Sequence, residues 1–263
     1  MRYQCILSAT IVAVENQGNF LYTQNMIDKY EYKPESAETY KDLGIQDTSY
    51  EMAFSEARRM FGDIKGKDFL DFGSGTGRSS RFLKRLGAQR IVGADHNQNM
   101  VAQAQAAAEE GLEYKLIAGQ IPEADNSFDG AFSGSAFVET KTLDIMQSAL
   151  TEIARVVKPG GVFVLATANP EAFGHDFKNY SRTENPENLR SGQVTKCTIK
   201  GKKPFVIEDV YWTEQDYISA LESAGFAVEE ITFPKATTEG DWLDETEVAP
   251  EMVIKARKPF PKE

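Results

Sequence analysis

The stretch FLDFGSGTGR, Phe69 to Arg78, decides the fold, because an apolar strand runs directly into a turn that is nearly bare of side chains. The strand is Phe69 to Phe72, and glycines at positions 73, 75 and 77 make the turn. Glycine permits positive φ and lets a ligand reach main-chain N–H groups that a Cβ would shield. A helix predicted over Thr76 to Leu86 follows, and its free N–H groups favour a negatively charged ligand group. The stretch therefore predicts a cofactor-binding loop.

The spacing of the glycines narrows the cofactor. A dinucleotide fingerprint requires G-x-G-x-x-G, and Arg78 stands where the third glycine would be. A P-loop requires a Gly-Lys-Ser/Thr ending, which this loop lacks. The order Asp71, Gly73, Gly75, Gly77 instead resembles the first motif of the class I S-adenosylmethionine-dependent methyltransferases. That resemblance implies S-adenosylmethionine as the cofactor and methyl transfer as the activity.

Further motifs downstream resemble the same family. The segment RIVGAD, Arg90 to Asp95, is a second apolar strand that ends in a carboxylate, and Asn97 is placed to cap the helix after it. The other matching segments are Glu113 to Ile117, a third strand, and Gly119 to Pro122 after it. SFDGAFS, Ser127 to Ser133, resembles the family's motif at the end of the fourth strand, and ARVVKPGGVFVLATANP, Ala154 to Pro170, resembles its helix, Pro-Gly-Gly turn and fifth strand. The resemblance covers roughly residues 60 to 170 closely and 210 to 257 at the level of architecture, about what one such domain requires.

The resemblance implies an α/β fold: a Rossmann-like, doubly wound sheet of seven mostly parallel strands with the last strand antiparallel. We expect an N-terminal arm and helical cover over residues 1–60, and a methyltransferase domain over 61–263. Residues 169–210 are too many for an ordinary connection after the fifth strand and are interpreted as a lid over the acceptor. Within them, Val194 to Ile199 and Phe205 to Tyr211 alternate apolar and polar residues and predict a hairpin. Thr213 with Asp216 predicts a capping box for the next helix.

Ten positions are candidates for cofactor binding through the resemblance. They are Tyr40, Asp71, Gly73, Ser74, Gly75, Asp95, His96, Gln120, Ile121 and Ser133. Asp95, the acid at the end of the second strand, is expected to bind the ribose hydroxyls, as in such folds; the alternative is an acid that caps the next helix. Asp71 is expected either to hold the loop towards the cofactor amine or to serve the structure alone. Gln120 and Ile121 are expected beside the adenine ring, and Ser133 near the cofactor amine.

The chemistry demands little from side chains, because a sulfonium makes its methyl group electrophilic and the enzyme chiefly aligns a nucleophile and excludes water. A base helps only when the nucleophile stays protonated at neutral pH. His175 is the candidate base, since it is one of two histidines and lies in the expected lid. Glu139, Asp176 and Tyr180 are the other candidates near the expected mouth.

Composition narrows the partners. Forty acidic and 29 basic residues give a formal charge of −11, which disfavours a nucleic-acid partner. The basic residues of the first helix, at positions 78, 81, 84 and 85, are interpreted as a solvated face. Cys5 and Cys197 are too few for a disulfide framework or a metal site, and we expect a cytoplasmic protein. The apolar run Cys5 to Val14 is too short to span a bilayer and is expected to pack on the body or on a neighbouring subunit, giving a homo-oligomer.

The leading hypothesis is an S-adenosylmethionine-dependent methyltransferase that acts on a small molecule, in specialised metabolite biosynthesis. Two alternatives stay open at this point. One is a reaction on the same scaffold in which cyclisation is coupled to methylation. The other is a cofactor-binding regulatory or assembly subunit without turnover. Production of S-adenosylhomocysteine discriminates among them.

Overall fold

The computed structural model describes residue 40 and residues 43–237 and 240–261. A seven-stranded sheet and a three-stranded sheet are built from ten strands. The strands are β1 (Asp68–Phe72), β2 (Arg90–Asp95), β3 (Leu112–Leu116), β4 (Phe128–Gly134), β5 (Val157–Ala168), β6 (Tyr180–Arg182), β7 (Gln193–Ile199), β8 (Phe205–Tyr211), β9 (Ala227–Thr232) and β10 (Glu251–Arg257). The larger sheet has the order β3-β2-β1-β4-β5-β10-β9, and β10 runs antiparallel to both of its neighbours. The expected fold class is therefore confirmed.

Helices cover both faces of the larger sheet. They are α1 (Glu51–Phe61), α2 (Arg78–Arg85), α3 (Gln98–Ala106), α4 (Leu143–Val156) and α5 (Glu214–Ser223). Successive residues of β1 point to opposite faces, so Phe69 packs with α1, α2 and α3 while Leu70 packs with α4 and α5. Both side chains are fully buried, and each such burial stabilises the fold by about 1.5–3 kcal/mol. The two faces thus carry separate apolar cores.

Local signals fix where several elements begin. The Asn97 side chain accepts hydrogen bonds from the N–H groups of Asn99 and Met100, so it caps α3 as predicted. Thr213 and Asp216 form the reciprocal capping box that starts α5. The first helix after the glycine loop is shorter than predicted, because Gly77, in a left-handed conformation with φ of 86°, is its N-cap.

The segment after β5 forms the smaller sheet. Strands β7 and β8 pair antiparallel from Gln193↔Tyr211 to Ile199↔Phe205, which confirms the predicted hairpin, and β6 adds a third strand that was not predicted. The sheet packs on the body, since Tyr180, Cys197 and Ile207 are buried in the same core as Tyr50. The segment is therefore an integral layer of the core in this structure. Its closure over an acceptor stays a prediction.

The N-terminal predictions fall mostly outside the described residues, which is the case for the apolar run Cys5 to Val14 and its role as an arm. The end of the expected helical cover is α1, whose residues Phe54 and Ala57 are buried against the sheet. None of the helices in the part of the chain that the structure describes is long and apolar enough to cross a membrane.

Candidate functional site

A cavity of about 240 Å³ opens at the carboxyl ends of β1, β2 and β4 and extends beneath the smaller sheet. The carboxyl edge of a doubly wound parallel sheet is where ligands bind in such folds. One wall is the glycine loop, and the opposite wall carries side chains of β6, β7 and β8. The site thus joins the predicted cofactor loop to the segment that was predicted as a lid.

The three glycines of the loop serve different purposes. A Cβ built on Gly73 would lie 2.1 Å from the Ala136 Cβ, and one on Gly77 would lie 2.3 Å from the Tyr114 hydroxyl oxygen, so both positions are closed by the protein itself. A Cβ on Gly75 would meet no described atom within 4 Å, and Gly75 lines the cavity with φ of 53°. Gly75 is therefore the position at which a side chain would enter ligand space.

Asp95, at the end of β2, holds the loop from the cavity side. Its Oδ2 accepts the Gly75 N–H at 2.8 Å, and its Oδ1 accepts the Asn97 N–H at 2.8 Å. The residue is 7% exposed and lines the cavity. One carboxylate thus binds the loop and the start of α3 and presents its remaining lone pairs to the cavity. Asp95 thus combines the two roles that were given as alternatives, since it faces the cavity and also bonds the chain at the start of α3.

Asp71 lies behind the loop. It is fully buried, is not part of the cavity wall, and its Oδ2 accepts hydrogen bonds from the hydroxyls of Ser79 and Ser80 in α2. Burial raises the pKa of Asp71 to about 6, and the two serine hydroxyls oppose that rise. Asp71 therefore connects β1 to α2 in this structure, which agrees with the second of its two expected roles, that of serving the structure alone.

The residues that line the cavity after β3 are not those predicted to lie beside the adenine ring. His96, Ile117 and Gly119 line the cavity, whereas Gln120 is exposed and Ile121 is buried in the core away from it. A bridge between Ala118 and Gln120 turns the chain sharply, and Ile121 is held in the core by an N–H bond to Glu152 and a carbonyl bond to Arg155. The structure does not bring Gln120 and Ile121 to the site.

The end of β4 is shifted in the same way. Ser133 is fully buried and is not part of the wall, while Gly134, Ser135 and Ala136 line the cavity. Strand β4 runs one residue further than predicted, so the turn that meets the cavity comes after Ser133. Ser135 has φ of 60°, and its hydroxyl donates to Oε1 of Glu251. Ser74, in contrast, lines the cavity as predicted, with its buried Oγ unpartnered among the described residues.

Arg78 corrects the prediction of a solvated basic face on the first helix. Its guanidinium lies 3.9 Å from the centroid of the Tyr50 ring and lines the cavity, and its buried Nη1 has no hydrogen-bond partner among the described residues. It is the first residue of α2 and follows Gly77, the left-handed N-cap. Tyr40 also lines the cavity, half-buried, with its ring 5.5 Å from that of Phe205.

The opposite wall is ionic and buried. Arg182 of β6 donates from Nε to Oδ2 of Asp209 at 2.8 Å, and these side chains are 6% and 0% exposed. Glu251, the first residue of β10, also lines the wall and is 3% exposed. Burial raises the pKa of Glu251 to about 7, while the Ser135 hydroxyl and the guanidiniums of Arg78 and Arg182 lower it. Sequence reasoning missed all three wall residues, because no local motif marks them.

His175 lies elsewhere. Its Nδ1 is 3.1 Å from Oδ2 of Asp244, an oxygen that also accepts the Asp176 N–H, and the imidazole is not part of the cavity wall. The pair joins the start of the inserted segment to the loop before β10. Of the alternative bases, Glu139 and Tyr180 line the cavity, whereas Asp176 forms an exposed ion pair with Lys200. The structure therefore does not bring His175 to the site.

The loop and its surroundings fit the implied cofactor. Gly75 leaves space that a side chain would fill, and Asp95 offers acceptors at the second strand. Arg78 and Ser74, both in the wall, each have a buried polar atom that no described residue bonds. In the part of the chain that is described, no group of three or more His, Cys, Asp or Glu side chains is arranged to hold a metal ion.

Comparisons with known proteins agree with this geometry. A family model described as a methyltransferase domain matches residues 70–165. The chain is 24% identical over 177 residues to N-demethylindolmycin N-methyltransferase of Streptomyces griseus, covering 64% of this chain and 73% of that protein. It is 31% identical over 132 residues to demethylmenaquinone methyltransferase of Tropheryma whipplei, covering 49% of this chain and 52% of that protein. The match thus spans about half the length of the second relative.

Solved structures share the fold. An S-adenosylmethionine-dependent methyltransferase from Mesorhizobium loti superposes with a TM-score of 0.57 at 20% identity, covering 77% of this chain and 96% of that one. At this level of identity the superposition supports the fold and nothing finer.

Proposed function

We propose that the chain is a class I S-adenosylmethionine-dependent methyltransferase that binds S-adenosylmethionine in this cavity and methylates a small-molecule acceptor. The methyltransferase-domain match over residues 70–165 supports this proposal. The observation that carries the proposal is the cradle at Gly75, whose Cβ direction is open to the cavity and whose N–H is held by Asp95. A loop of this kind lets a ligand lie close against the main chain at the carboxyl edge of the sheet.

Residues around the loop would hold the cofactor. Gly73, Ser74 and Gly75 would contact its methionine portion, Asp95 would accept from the ribose hydroxyls, and Ile117 would pack beside the base. When bound, S-adenosylmethionine supplies an electrophilic methyl group. The protein's own contribution is to exclude water and to hold the acceptor in line, for which the buried wall under the smaller sheet is suited.

A small acceptor is favoured by charge and by enclosure. The chain carries a formal charge of −11, so a polyanionic partner is repelled. The acceptor end of the cavity is walled by Tyr180, Ile199 and Ile207 together with the Arg182–Asp209 pair. The relatives quoted above are, by name, methyltransferases of small molecules. We extend this to a cytoplasmic enzyme of specialised metabolism.

The test is turnover of the purified protein with S-adenosylmethionine and fractionated small-molecule extracts, following S-adenosylhomocysteine and a methylated product. We expect S-adenosylhomocysteine to form in stoichiometric amounts with one methylated compound. A Gly75→Val variant serves as the blank. Cofactor binding without product in every fraction would favour a regulatory subunit, and a product that gains a ring together with the methyl group would favour coupled cyclisation.

A further inference from the structure

Glu251 occupies a position where a buried carboxyl reaches the cavity. It pairs in register with Ala168 at the carboxyl end of β5, so it stands at the ligand-binding edge of the sheet. Its Oε1 accepts the Ser135 hydroxyl, whereas its buried Oε2 has no hydrogen-bond partner among the described residues. An unpartnered, buried carboxylate oxygen is costly unless a ligand satisfies it. The free oxygen therefore indicates a role towards a bound molecule.

The groups that face Glu251 come from four elements. Arg78 approaches from α2 and Arg182 from β6, and both guanidiniums act on its charge. The rings of Tyr50 and Tyr180 lie between them, with centroids 5.9 Å apart, and each ring carries one guanidinium at 3.9 and 4.6 Å. The Ser135 hydroxyl comes from the turn after β4. Arg182 is already paired with Asp209, and Arg78 acts on the charge of Glu251 without forming an ion pair with it in the part of the chain that is described.

Glu251 is also close to the glycine loop through one short connection. Ser135, its hydrogen-bond donor, precedes Ala136, and the Ala136 Cβ is the atom that a side chain at Gly73 would strike. The turn at residues 134–136 therefore touches the glycine loop on one side and Glu251 on the other. Glu251 therefore stands at the cavity between the proposed cofactor loop and the smaller sheet.

We propose that Glu251 is a catalytic residue that accepts the proton of the acceptor's nucleophilic atom, an inference that rests on the proposed function. The acceptor is then a compound whose N–H, O–H or C–H proton must leave. Its X–H bond breaks, and the proton moves to Oε2 of Glu251. The electron pair stays on X and forms the bond to the methyl carbon, while the carbon–sulfur pair leaves with sulfur and yields a neutral thioether. The proton on Glu251 returns to solvent after product release.

The acidity of the group suits this task. Burial raises the pKa of Glu251 to about 7, with the hydroxyl and the two guanidiniums holding it from rising further. A base is most effective when its pKa lies near the working pH. His175, the base that the sequence indicated, has no comparable position at the cavity.

Calorimetry can test whether Glu251 faces the methyl-bearing end without knowledge of the acceptor. S-adenosylmethionine carries a positive sulfonium where S-adenosylhomocysteine has a neutral thioether, so only the first should drive a nearby carboxyl to ionise. Titrations at pH 7 in phosphate, HEPES and Tris give the protons released. We expect S-adenosylmethionine to release up to about 0.5 proton more than S-adenosylhomocysteine, because a group with a pKa of about 7 is half protonated there.

Glu251→Gln should abolish that difference while its affinity for S-adenosylhomocysteine stays within about threefold of wild type. Ser135→Ala keeps the carboxyl and should keep the difference, which guards against a fold defect in the first variant. Equal proton release from both ligands in the wild type, or a difference that persists in Glu251→Gln, overturns the inference. Failure of the wild type to bind either ligand overturns the proposed function instead.

The catalytic part is tested on the acceptor found in the extract assay. The wild-type rate should fall as pH drops below about 7, and Glu251→Gln should be slower by about 10²–10⁴-fold and lose that acid limb. A Glu251→Gln rate within twofold of wild type, with the same pH profile, contradicts the assignment even if the proton release is as expected.

Discussion

Replacing Gly75 by Val tests the cofactor cradle most sharply, because the structure offers a matched control. Gly75 has φ of 53° and Gly66 has φ of 75°, and at both positions a Cβ would meet no described atom within 4 Å. Only Gly75 lines the cavity. Both variants force a β-branched residue into a left-handed conformation, at a cost of roughly 1–2 kcal/mol each. We expect both to lower the melting temperature by roughly 2–8 °C.

Binding should separate the two variants. A side chain at Gly75 would occupy ligand space and push the ligand away from the Asp95 carboxylate, which would break one or two hydrogen bonds, a loss of about 1.5–3 kcal/mol when a charged group is bonded. That loss corresponds to roughly 10–150-fold weaker binding. Gly66→Val should bind as wild type does.

The assay is calorimetric titration of S-adenosylhomocysteine into wild type, Gly75→Val and Gly66→Val, with melting curves on the same samples. Equal affinity of the two variants would refute the cradle, whatever their stabilities. Loss of binding in both would mean that backbone strain, rather than occupied ligand space, removes the ligand.

Three further predictions address the cavity walls. Asp95→Ala should weaken the binding of S-adenosylhomocysteine and of methylthioadenosine alike by about 1.5–3 kcal/mol, because the proposed contact is to the ribose that both ligands share. If calorimetry shows weaker binding of S-adenosylhomocysteine only, Asp95 contacts the amino-acid end of the ligand instead. Arg182→Met should destabilise the fold by about 3–5 kcal/mol in urea by leaving Asp209 buried and unpaired, and adding Asp209→Leu should recover most of it; an additive further loss would contradict this account of the pair. The pKa of Glu251 rises from 4.5 in the unfolded chain to about 7 in the folded protein, so the folded state binds more protons between those pH values and loses up to about 3 kcal/mol of stability as the pH rises through them. Urea titrations at pH 5 and pH 8 should show this loss in the wild type and not in Glu251→Gln, and an identical pH dependence in both would refute it.

Elements with strong local signals were predictable from sequence. Strand β2 has the predicted bounds, Arg90–Asp95, because its apolar run ends at an acid followed by a capping Asn97. The hairpin of β7 and β8 followed from alternating residues. Pro159 and the two glycines after it were predicted as a turn before the fifth strand. They lie within β5 instead, where the pairing shifts from Phe128↔Val157 to Gly130↔Val162.

The part of the site that one continuous loop forms was predictable from sequence. The part that forms where distant segments of the chain come together was not. Gly73, Ser74, Gly75, Asp95 and His96 line the cavity, as do residues of the first helix and of the inserted sheet that no motif marks. Arg78 follows the left-handed Gly77 and lies at the wall, which the polarity of its neighbours does not reveal. Arg182 and Glu251 reach the wall through strand pairings between segments far apart in the chain, which periodicity does not reveal.

Some predicted positions adjacent to turns lie a small number of residues away from the cavity wall, for a related reason. In a strand, side chains alternate between faces, so a shift of one residue moves a side chain from the cavity to the core. Ser133 is buried in this way, whereas Gly134, the next residue, lines the cavity. Backbone turn geometry decides these positions, and single-sequence patterns place strand ends only approximately.

Direct titration of the wild-type protein with S-adenosylhomocysteine and, separately, with NAD tests the central claim, that the cavity between the glycine loop and the smaller sheet is an S-adenosylmethionine site. We predict one S-adenosylhomocysteine bound per chain and at least about 100-fold weaker binding of NAD, a difference of about 2.7 kcal/mol. Binding of NAD at comparable or greater affinity, or no binding of S-adenosylhomocysteine, would contradict it.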